Sequence, residues 1–553
     1  MNNFLQKFTK PLLAKCFLVI CLSNPLLFFG QKKNIKTNLN ASPPNIVWFV
    51  TEDQSPEFFP MYGDSTISLP NLEALALEGV IFNNAYTPVP VCAPTRSSLI
   101  TGMYPTTLGT HNMRTYNGNS IENRPELGIP NYSPVVPENT HMFTEYLREK
   151  GYYCTNNYKE DYNFRTLESV WDDSSDKATW RNRPDKNKPF FSVFNFNMTH
   201  EGAIWRFTED ELFVLPESVP VPPIFPDNNI VRKDLAINYS NLKRMDDAIG
   251  KLIVQLKEDG LYENTIIFFY GDHGGPFPRY KRALYETGTK VPLVIKFQGN
   301  EKESDYNDDL VSFIDFAPTL LSWAGIKPPE NMQGKALFGM YQDTIARKSI
   351  FTTADRFGEG VDRLRAVRSK DYKYIRNFNV NQSNALALKY RDEMPLMRNL
   401  KEMHKNATLD SVQELWFRVP KPEEELYNLE KDPYELINLA NRKEHKDTLV
   451  YLRNLLDNWI EETGDLGRIP EKELIAKWLV DGQNPQLEPL KVMEQNQHVY
   501  LTSNVHDATI IWKFPDAISW NIYNEPLLSK QEFEAKVVRI GFKDSPILRY
   551  RKK

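Results

Sequence analysis

Acidic side chains directly follow two apolar runs that are typical of buried strands. Glu52 and Asp53 come after the first run, and Asp272 comes after a later one together with His273. In open α/β sheets the ligand crevice lies outside the carboxyl ends of the strands, so these side chains can converge there. Three carboxylates at one sheet edge repel one another unless a cation lies among them, and an oxygen-rich shell suits calcium or magnesium. Each acid could instead cap the helix or turn that follows it.

A cysteine motif lies between these acids in the chain. Residues 91–102 read Val-Cys-Ala-Pro-Thr-Arg-Ser-Ser-Leu-Ile-Thr-Gly. Pro94 is tolerated in the first turn of a helix. It would place Cys92 at a helix N-terminus, where backbone N–H groups and the dipole favour an anion. Arg96 lies one turn further on, and its guanidinium can donate two hydrogen bonds to the side chain at position 92.

This segment matches, at every defined position, the Cys-x-Pro-x-Arg signature with its following Thr-Gly that marks formylglycine-dependent sulfatases. From about residue 45 to residue 440 the chain resembles that family, which belongs to the alkaline phosphatase superfamily. Within the family it looks most like bacterial polysaccharide sulfatases related to heparan sulfamidase and to ulvan-active sulfatases. The resemblance implies a partner that oxidises Cys92 to formylglycine, either the formylglycine-generating enzyme or the anaerobic sulfatase-maturating enzyme.

The chemistry explains why the cysteine must be modified. A thiol is a poor partner for a sulfate ester, and its sulfated product would have no easy route of release. The hydrated aldehyde of formylglycine carries two hydroxyls on one carbon. One attacks sulfur, and the other then expels the sulfate as the carbonyl re-forms, which divides one difficult step into two.

The resemblance also implies a calcium site and a set of sulfate-binding cations. The positions that match the family's calcium ligands are Glu52, Asp53, Cys92, Asp272 and His273. Glu52 stands where the family has aspartate. Beside Cys92 and Arg96, the positions that match its catalytic and sulfate-binding residues are Lys159, His200 and Lys281. Read without the family, His200 could be a satisfied histidine at the edge of the core, and Lys281 could belong to a solvated basic loop.

One position departs from the family where catalysis is concerned. The family reads Gly-Lys-x-His where this chain reads Tyr-Lys-Glu-Asp, so Asp161 replaces a histidine that assists the formylglycine. Asp161 therefore either binds substrate through a sugar hydroxyl or takes over proton transfer from the missing histidine. We favour the sugar contact, because a carboxylate beside a sulfate would oppose its binding.

The spacing of apolar residues predicts an α/β domain that holds these side chains. Continuous apolar runs, typical of parallel strands buried on both faces, lie at 45–50, 190–196, 265–270 and 291–297. They alternate with helical patterns at 71–78, 142–150 and 234–259. We predict a large mixed, mostly parallel sheet flanked by helices, as in alkaline phosphatase, with the catalytic domain at 43–364.

The pattern changes from about residue 365. Residues 365–378 alternate charged and apolar side chains, as half-solvated antiparallel strands do, and a helix is expected at 446–462. We predict a smaller C-terminal α+β subdomain at 365–485. A β-rich appendage is expected at 490–553, with strand-like runs at 508–513 and 535–540.

The N-terminal segment has the features of a secretory signal. Three lysines without any acid precede apolar runs in residues 1–30, and a Ser-Asn-Pro sequence interrupts those runs. The alternative is a lone anchor helix, for which the segment is too short and too interrupted. We predict an exported protein, periplasmic or secreted, without a membrane span in its mature form. Cys92 and Cys154 would then be the remaining cysteines. They could form one disulfide, but the signature reserves Cys92 for modification and leaves Cys154 as a small buried apolar residue.

Composition and motifs together narrow the function. A net charge of −5 argues against a nucleic-acid partner, and only eight histidines argue against a zinc-rich hydrolase. We predict a sulfuric ester hydrolase acting on a sulfated polysaccharide or its oligosaccharides, with algal ulvan favoured and a sulfamidase or glycosaminoglycan sulfatase as the alternative. Two rivals are a phosphatase or phosphonate hydrolase of the same superfamily and an inactive glycan-binding homologue in which Cys92 stays a thiol. Trp205 and Tyr280 suit sugar stacking but equally suit packing.

Overall fold

The computed structural model describes residues 43–551 except 117, 119–121, 125–126, 209–210 and 300–304. The expected signal at 1–30 lies outside the described residues. The α-helices of the described part are α1 (Pro70–Leu77), α2 (Cys92–Thr101), α3 (Pro105–Leu108), α4 (Phe143–Glu149), α5 (Gly202–Trp205), α6 (Asn229–Glu258), α7 (Glu286–Thr289), α8 (Phe316–Trp323), α9 (Pro395–Lys405), α10 (Lys446–Glu462) and α11 (Glu471–Trp478).

The strands of the same part are β1 (Asn45–Thr51), β2 (Val80–Phe82), β3 (Ala85–Tyr86), β4 (Glu122–Arg124), β5 (Ile129–Pro130), β6 (Tyr153–Asn157), β7 (Asp173–Ser174), β8 (Phe190–Phe196), β9 (Thr265–Gly271), β10 (Lys290–Val291), β11 (Leu293–Lys296), β12 (Asp305–Asn307), β13 (Val311–Ser312), β14 (Ile350–Ala354), β15 (Leu364–Arg368), β16 (Tyr372–Asn377), β17 (Glu424–Asn428), β18 (Lys491–Gln495), β19 (His498–Thr502), β20 (Thr509–Lys513), β21 (Asn521–Ile522), β22 (Leu527–Leu528), β23 (Phe533–Val538) and β24 (Leu548–Tyr550).

Eight strands form the central sheet in the order β12-β2-β11-β9-β1-β8-β6-β7. The strands from β9 to β7 in that order run parallel to one another. β11 runs antiparallel to both of its neighbours, β9 and β2. The predicted mixed, mostly parallel sheet is therefore confirmed. The predicted strand at 291–297 exists in shorter form as β11, but it is an antiparallel member.

Strand β1 lies at the centre of this sheet and is buried on both faces. Ile46 and Trp48 belong to one hydrophobic cluster, and Val47 and Phe49 belong to another. Helices α4 and α8 pack rings against Trp48 on the first face, and α6 contributes most of the second cluster. Burial of each large apolar side chain contributes roughly 1.5–3 kcal/mol to folding. Helices on both faces explain why the strand sequence is continuously apolar.

The register of the three central strands places their carboxyl ends side by side. Thr51 of β1 lies opposite Phe196 of β8 and Gly271 of β9. The segments that follow these strands therefore leave the sheet at one edge. They carry Glu52, Asp53, His200, Asp272 and His273.

The C-terminal part contains separate antiparallel sheets. Strands β14, β15, β16 and β17 form one sheet in that order, and α10 packs its apolar face against it. This sheet begins before the predicted boundary at residue 364, because β14 is its first strand. Two further sheets, β18-β19-β22 and β21-β20-β23-β24, form the β-rich C-terminal end. The domain boundaries themselves stay predictions. Among the described residues, no helix combines the length and apolar character that crossing a membrane requires.

Candidate active site

Cys92 is the first residue of helix α2, which ends before Gly102, a residue with a left-handed φ of 70°. The thiol is fully buried and free. Its Sγ lies 3.2 Å from His273 Nε2, 3.7 Å from Glu52 Oε2 and 3.9 Å from Asp53 Oδ1. Cys154 is also free and buried, so the disulfide considered from the sequence is absent.

The carboxylates predicted at the sheet edge lie next to this thiol. Glu52, Asp53 and Asp272 are each 0% exposed. Oδ1 of Asp272 accepts the backbone N–H of Asp53 at 3.0 Å, whereas Oδ2 of Asp272 has no hydrogen-bond partner in the described part of the chain. Burial raises the pKa of Asp272 to about 7, and the charge of Glu52 adds to the rise. Such crowding of buried anions needs a compensating positive charge.

A divalent cation fits this arrangement. Ligand atoms of Asp53, Cys92, Asp272 and His273 lie within 4.8 Å of one another, and Glu52 forms a second such group with Asp53, Cys92 and His200. Carboxylates dominate both groups, and one of their oxygens is without a partner. Hard oxygen donors of this kind suit calcium or magnesium better than zinc.

Lys281 lies on one side of Cys92 and is surrounded by acids. It is 1% exposed, and its Nζ lies 2.8 Å from Asp53 Oδ2 and 3.1 Å from Glu201 Oε1. Arg282 also pairs with Glu201, at 2.6 Å. Although burial lowers the pKa of Lys281, the charge of Asp53 raises it well above its usual value. Glu201 and Arg282 were missed from the sequence, although each adjoins a predicted site residue.

His200 completes this side of the pocket. Its Nδ1 accepts the backbone N–H of Gly202 at 3.1 Å, so the neutral ring carries its proton on Nε2. Burial, followed by the charge of Lys281, lowers the pKa of His200 to about 4, which keeps the ring neutral near pH 7. Nε2 lies 3.2 Å from Lys281 Nζ. Two donors so close together require a shared acceptor in front of them, and an anionic oxygen meets that requirement.

Lys159 and Arg96 lie on the opposite side of Cys92. Both side chains form ion pairs with Glu52. Arg96 Nη1 also donates to Asn195 Oδ1 at 2.7 Å. The hydrogen bonds of Arg96 in the described residues therefore go to neighbours of Cys92 and not to its side chain. Although burial raises the pKa of the Cys92 thiol, the charges of Lys159 and Lys281 lower it. The pocket thus favours an anion at position 92.

Asp161 lies at the outer edge of the Lys159 side. Its Oδ1 is 3.6 Å from Arg114 Nε, and its Oδ2 is 3.9 Å from Lys159 Nζ. Although burial raises the pKa of Asp161, Arg114 and Lys159 lower it, so the carboxylate is ionised at neutral pH. Arg114 was missed because a single arginine in a loop carries no pattern.

The two aromatic residues weighed for sugar stacking differ in the structure. Tyr280 is fully buried, its hydroxyl donates to Glu57, and its ring stacks on Phe58. It is a packing residue. Trp205 is half-buried and packs edge-on against Tyr390, with ring centroids 4.9 Å apart.

Comparison with known proteins agrees with this geometry. The sulfatase family profile matches residues 44–326, and the C-terminal profile of N-sulphoglucosamine sulphohydrolase matches residues 271–419. An ulvan-active sulfatase of Formosa agariphila is 41% identical over 546 residues, which cover 91% of this chain and 90% of that protein. Human N-sulphoglucosamine sulphohydrolase is 25% identical over 507 residues, covering 81% of this chain and 95% of that protein.

A solved structure shows the same fold at low identity. The structure of BT4656 in complex with its substrate D-glucosamine-2-N,6-O-disulfate aligns with a TM-score of 0.54 and 18% identity, covering 78% of this chain and all of that chain. The family profile spans more than half of the 553 residues, and the Formosa agariphila relative matches nearly the whole chain. The chain therefore belongs to the sulfatase family and is a sulfatase.

Proposed function

We propose that the protein removes sulfate from a sulfated carbohydrate, with ulvan or its oligosaccharides as the favoured substrate. The observation that carries the reaction is the pair of hydrogen-bond donors, His200 Nε2 and Lys281 Nζ, that lies beside the buried Cys92. The substrate class is supported by the 41% identity to a protein named as an ulvan-active sulfatase.

Cys92 would act after oxidation to formylglycine, whose hydrate supplies one hydroxyl that attacks and a second that allows release. Glu52, Asp53, Asp272 and His273, with residue 92, would hold Ca2+, which supplies positive charge beside the nucleophile and the sulfate. The ligand atoms of these residues already lie within reach of a single ion.

The cations around residue 92 have a different task. A sulfate ester carries one negative charge, and more charge develops on the leaving oxygen as the bond to sulfur breaks. Lys281 Nζ and the Nε2–H of His200 would donate to that oxygen, and fixed donors stabilise such charge more in the transition state than in the ground state. Lys159 and Arg96, which pair with Glu52, would bind the sulfate and the nucleophile.

The features of residues 1–30 support export to the periplasm or beyond the cell, where a polymeric substrate is accessible. A formylglycine-generating or anaerobic sulfatase-maturating enzyme would be the required partner. Neither nucleic acid nor a membrane span in the mature form is part of the proposal.

A sulfamidase or glycosaminoglycan sulfatase is the second candidate. The match to the C-terminal profile of N-sulphoglucosamine sulphohydrolase over residues 271–419 favours it specifically. A phosphatase or phosphonate hydrolase is less well supported, because the metal-ligand groups are rich in carboxylates and poor in histidines. An inactive glycan-binding protein would leave Cys92 as a thiol.

The test combines mass spectrometry with a desulfation panel. Coexpressed with a maturation enzyme, the peptide that contains Cys92 should lose about 18 Da, as oxidation of a thiol to an aldehyde requires. The matured protein should release sulfate from ulvan oligosaccharides, and Cys92→Ala should release none. Activity from protein that carries only the thiol would rule out the proposed nucleophile. Preferential release of N-linked sulfate would favour the sulfamidase, and release of phosphate alone would favour the phosphatase.

A further inference from the structure

Trp205, Arg206 and Tyr390 form a rim beside the sulfate pocket that the proposed reaction does not use. Trp205 ends helix α5, which begins two residues after His200. Tyr390 comes from the C-terminal part of the chain, and its ring centroid lies 6.1 Å from that of His200. Arg206 places its Cζ 5.9 Å from the Tyr390 ring centroid. The three side chains are therefore one contiguous surface.

Gly202 allows this surface to approach the pocket. A Cβ at position 202 would lie 2.6 Å from the Tyr390 hydroxyl oxygen and 3.3 Å from His200 Nδ1. The tyrosine hydroxyl consequently lies immediately beside the ring that carries one of the two sulfate-facing donors. A group bound at this rim would be within one sugar unit of the reacting sulfate.

The exposure and charge of the rim fit a ligand. Tyr390 is 39% exposed, Trp205 is half-buried, and Arg206 is exposed. In the described residues Arg206 has a ring contact with Tyr390 but no carboxylate partner, whereas most arginines near the pocket, such as Arg96, Arg114 and Arg282, form ion pairs. An unpaired guanidinium over an aromatic ring can bind an anion while the rings contact the apolar face of a sugar.

We propose that Trp205, Arg206 and Tyr390 form a second sugar subsite, in which Arg206 binds an anionic group of the sugar next to the one that loses sulfate. The inference rests on the proposed sulfatase reaction at Cys92. The anion can be a carboxylate or a further sulfate, because both accept two parallel N–H bonds from arginine. The subsite would thus select a polyanionic chain over an isolated sulfate ester.

Binding to protein that cannot turn over separates the subsite from the reaction. In the Cys92→Ser background, affinity is measured by calorimetry for sulfated oligosaccharides from ulvan and for the same oligosaccharides with their carboxylates reduced to alcohols. Arg206→Gln should weaken binding of the unreduced oligosaccharides about tenfold, the scale of one charge-assisted bidentate contact. Tyr390→Phe should bind like the parent, and Tyr390→Ala should lose as much as Arg206→Gln. Arg363→Gln, which removes an arginine that lies over the ring of Phe378, is the matched control and should change nothing.

The two oligosaccharide sets identify the anion. If Arg206→Gln weakens binding only before reduction, the bound group is a carboxylate; if it weakens binding of both sets, the group is a second sulfate. Equal affinities of parent and Arg206→Gln for both sets would overturn the subsite.

Turnover of the matured enzyme tests the reaction independently of the subsite. Arg206→Gln should raise KM about tenfold on oligosaccharides and leave kcat and KM on a small aryl sulfate unchanged. If the matured enzyme hydrolyses neither substrate while Arg206→Gln still weakens binding, the proposed reaction is wrong and the subsite stands.

Discussion

The two sides of the pocket around Cys92 differ in burial. On one side Lys281, Glu201 and Asp53 are at most 1% exposed and form a closed set of ion pairs. On the other side the side chains of Lys159 and Asp161 are each 17% exposed, and Arg114 is 44% exposed. The buried side matches the sulfatase family position by position, whereas the exposed side departs from it at Asp161. Fixed charge is what bond breaking requires, and an accessible set of charges is what recognition of varied sugars requires.

Backbone strain does not distinguish the two sides. Asp53 and Arg282 on the buried side have φ values of 51° and 73°, and Asp161 and Arg114 on the exposed side have values of 53° and 52°. Such conformations cost energy for residues other than glycine and persist where packing enforces them. The difference between the sides is therefore one of solvent access and charge balance.

Removal of the metal should give the largest effect, because both sides depend on the same carboxylates. We expect a chelator to abolish activity on aryl sulfate and polysaccharide alike, and added Ca2+ to restore it. Elemental analysis of the active protein should find calcium. Stoichiometric zinc, with activity that survives calcium removal, would contradict the proposed site.

Substitution on the buried side should come next in size. Lys281→Ala and His200→Ala should each lower kcat by roughly 100-fold or more on both substrates, the scale for loss of one fixed stabilising group. Lys335→Ala, which removes a partly exposed lysine paired with Asp343, is the control, and the thermal midpoint of each variant is measured in parallel. A loss confined to KM would show that these groups bind the ground state only.

Substitution on the exposed side should affect the substrates differently. Asp161→Ala should raise KM on the polysaccharide about tenfold, because a sugar contact and the balance of Arg114 and Lys159 are lost. Turnover of an aryl sulfate should be spared. Equal losses of kcat on both substrates would show instead that Asp161 takes part in proton transfer.

The smallest effect concerns the support behind the buried side. Glu435 accepts the backbone N–H of Glu286 at 2.5 Å, and both carboxylates pair with Lys373. Burial raises the pKa of Glu435 to about 7, Lys373 opposes the rise, and the charge of Glu286 adds to it. This group therefore favours the folded state below its usual pKa, and that contribution is lost as the pH rises towards 7, at roughly 1.4 kcal/mol per pH unit at most.

Glu435→Gln should remove this part of the pH dependence. We expect the variant to gain stability relative to the parent protein between pH 5 and 8, measured by chemical unfolding at each pH, with little change in kcat. Parallel pH profiles for parent and variant would contradict the raised pKa.

The sequence predicted what depends on local pattern and missed what depends on distant pairing. The strand at 190–196 and the helix at 446–462 agree with β8 and α10 because apolar periodicity alone defines them. The direction of β11 could not be predicted, since an apolar run reads the same in parallel and antiparallel strands.

The positions of the predicted site residues could be predicted because strand ends converge at one edge of the sheet. Tyr390 could not, because it reaches the pocket from the C-terminal part of the chain, where its neighbours carry no motif. Glu201 was likewise missed because its ion pairs join it to a segment 80 residues away. Contacts of this kind are set by tertiary packing, which leaves no periodic signal.

Burial of helix α2 has a consequence for the order of events in biosynthesis. All ten of its residues are buried, and the thiol of Cys92 has no access to solvent. A second enzyme cannot grip this segment in the folded protein without unfolding the sheet edge around it. Oxidation of Cys92 must then precede folding, while the chain is still extended. If residues 1–30 direct the unfolded chain out of the cytoplasm, the cell has only the interval between synthesis and folding in which to make an active molecule.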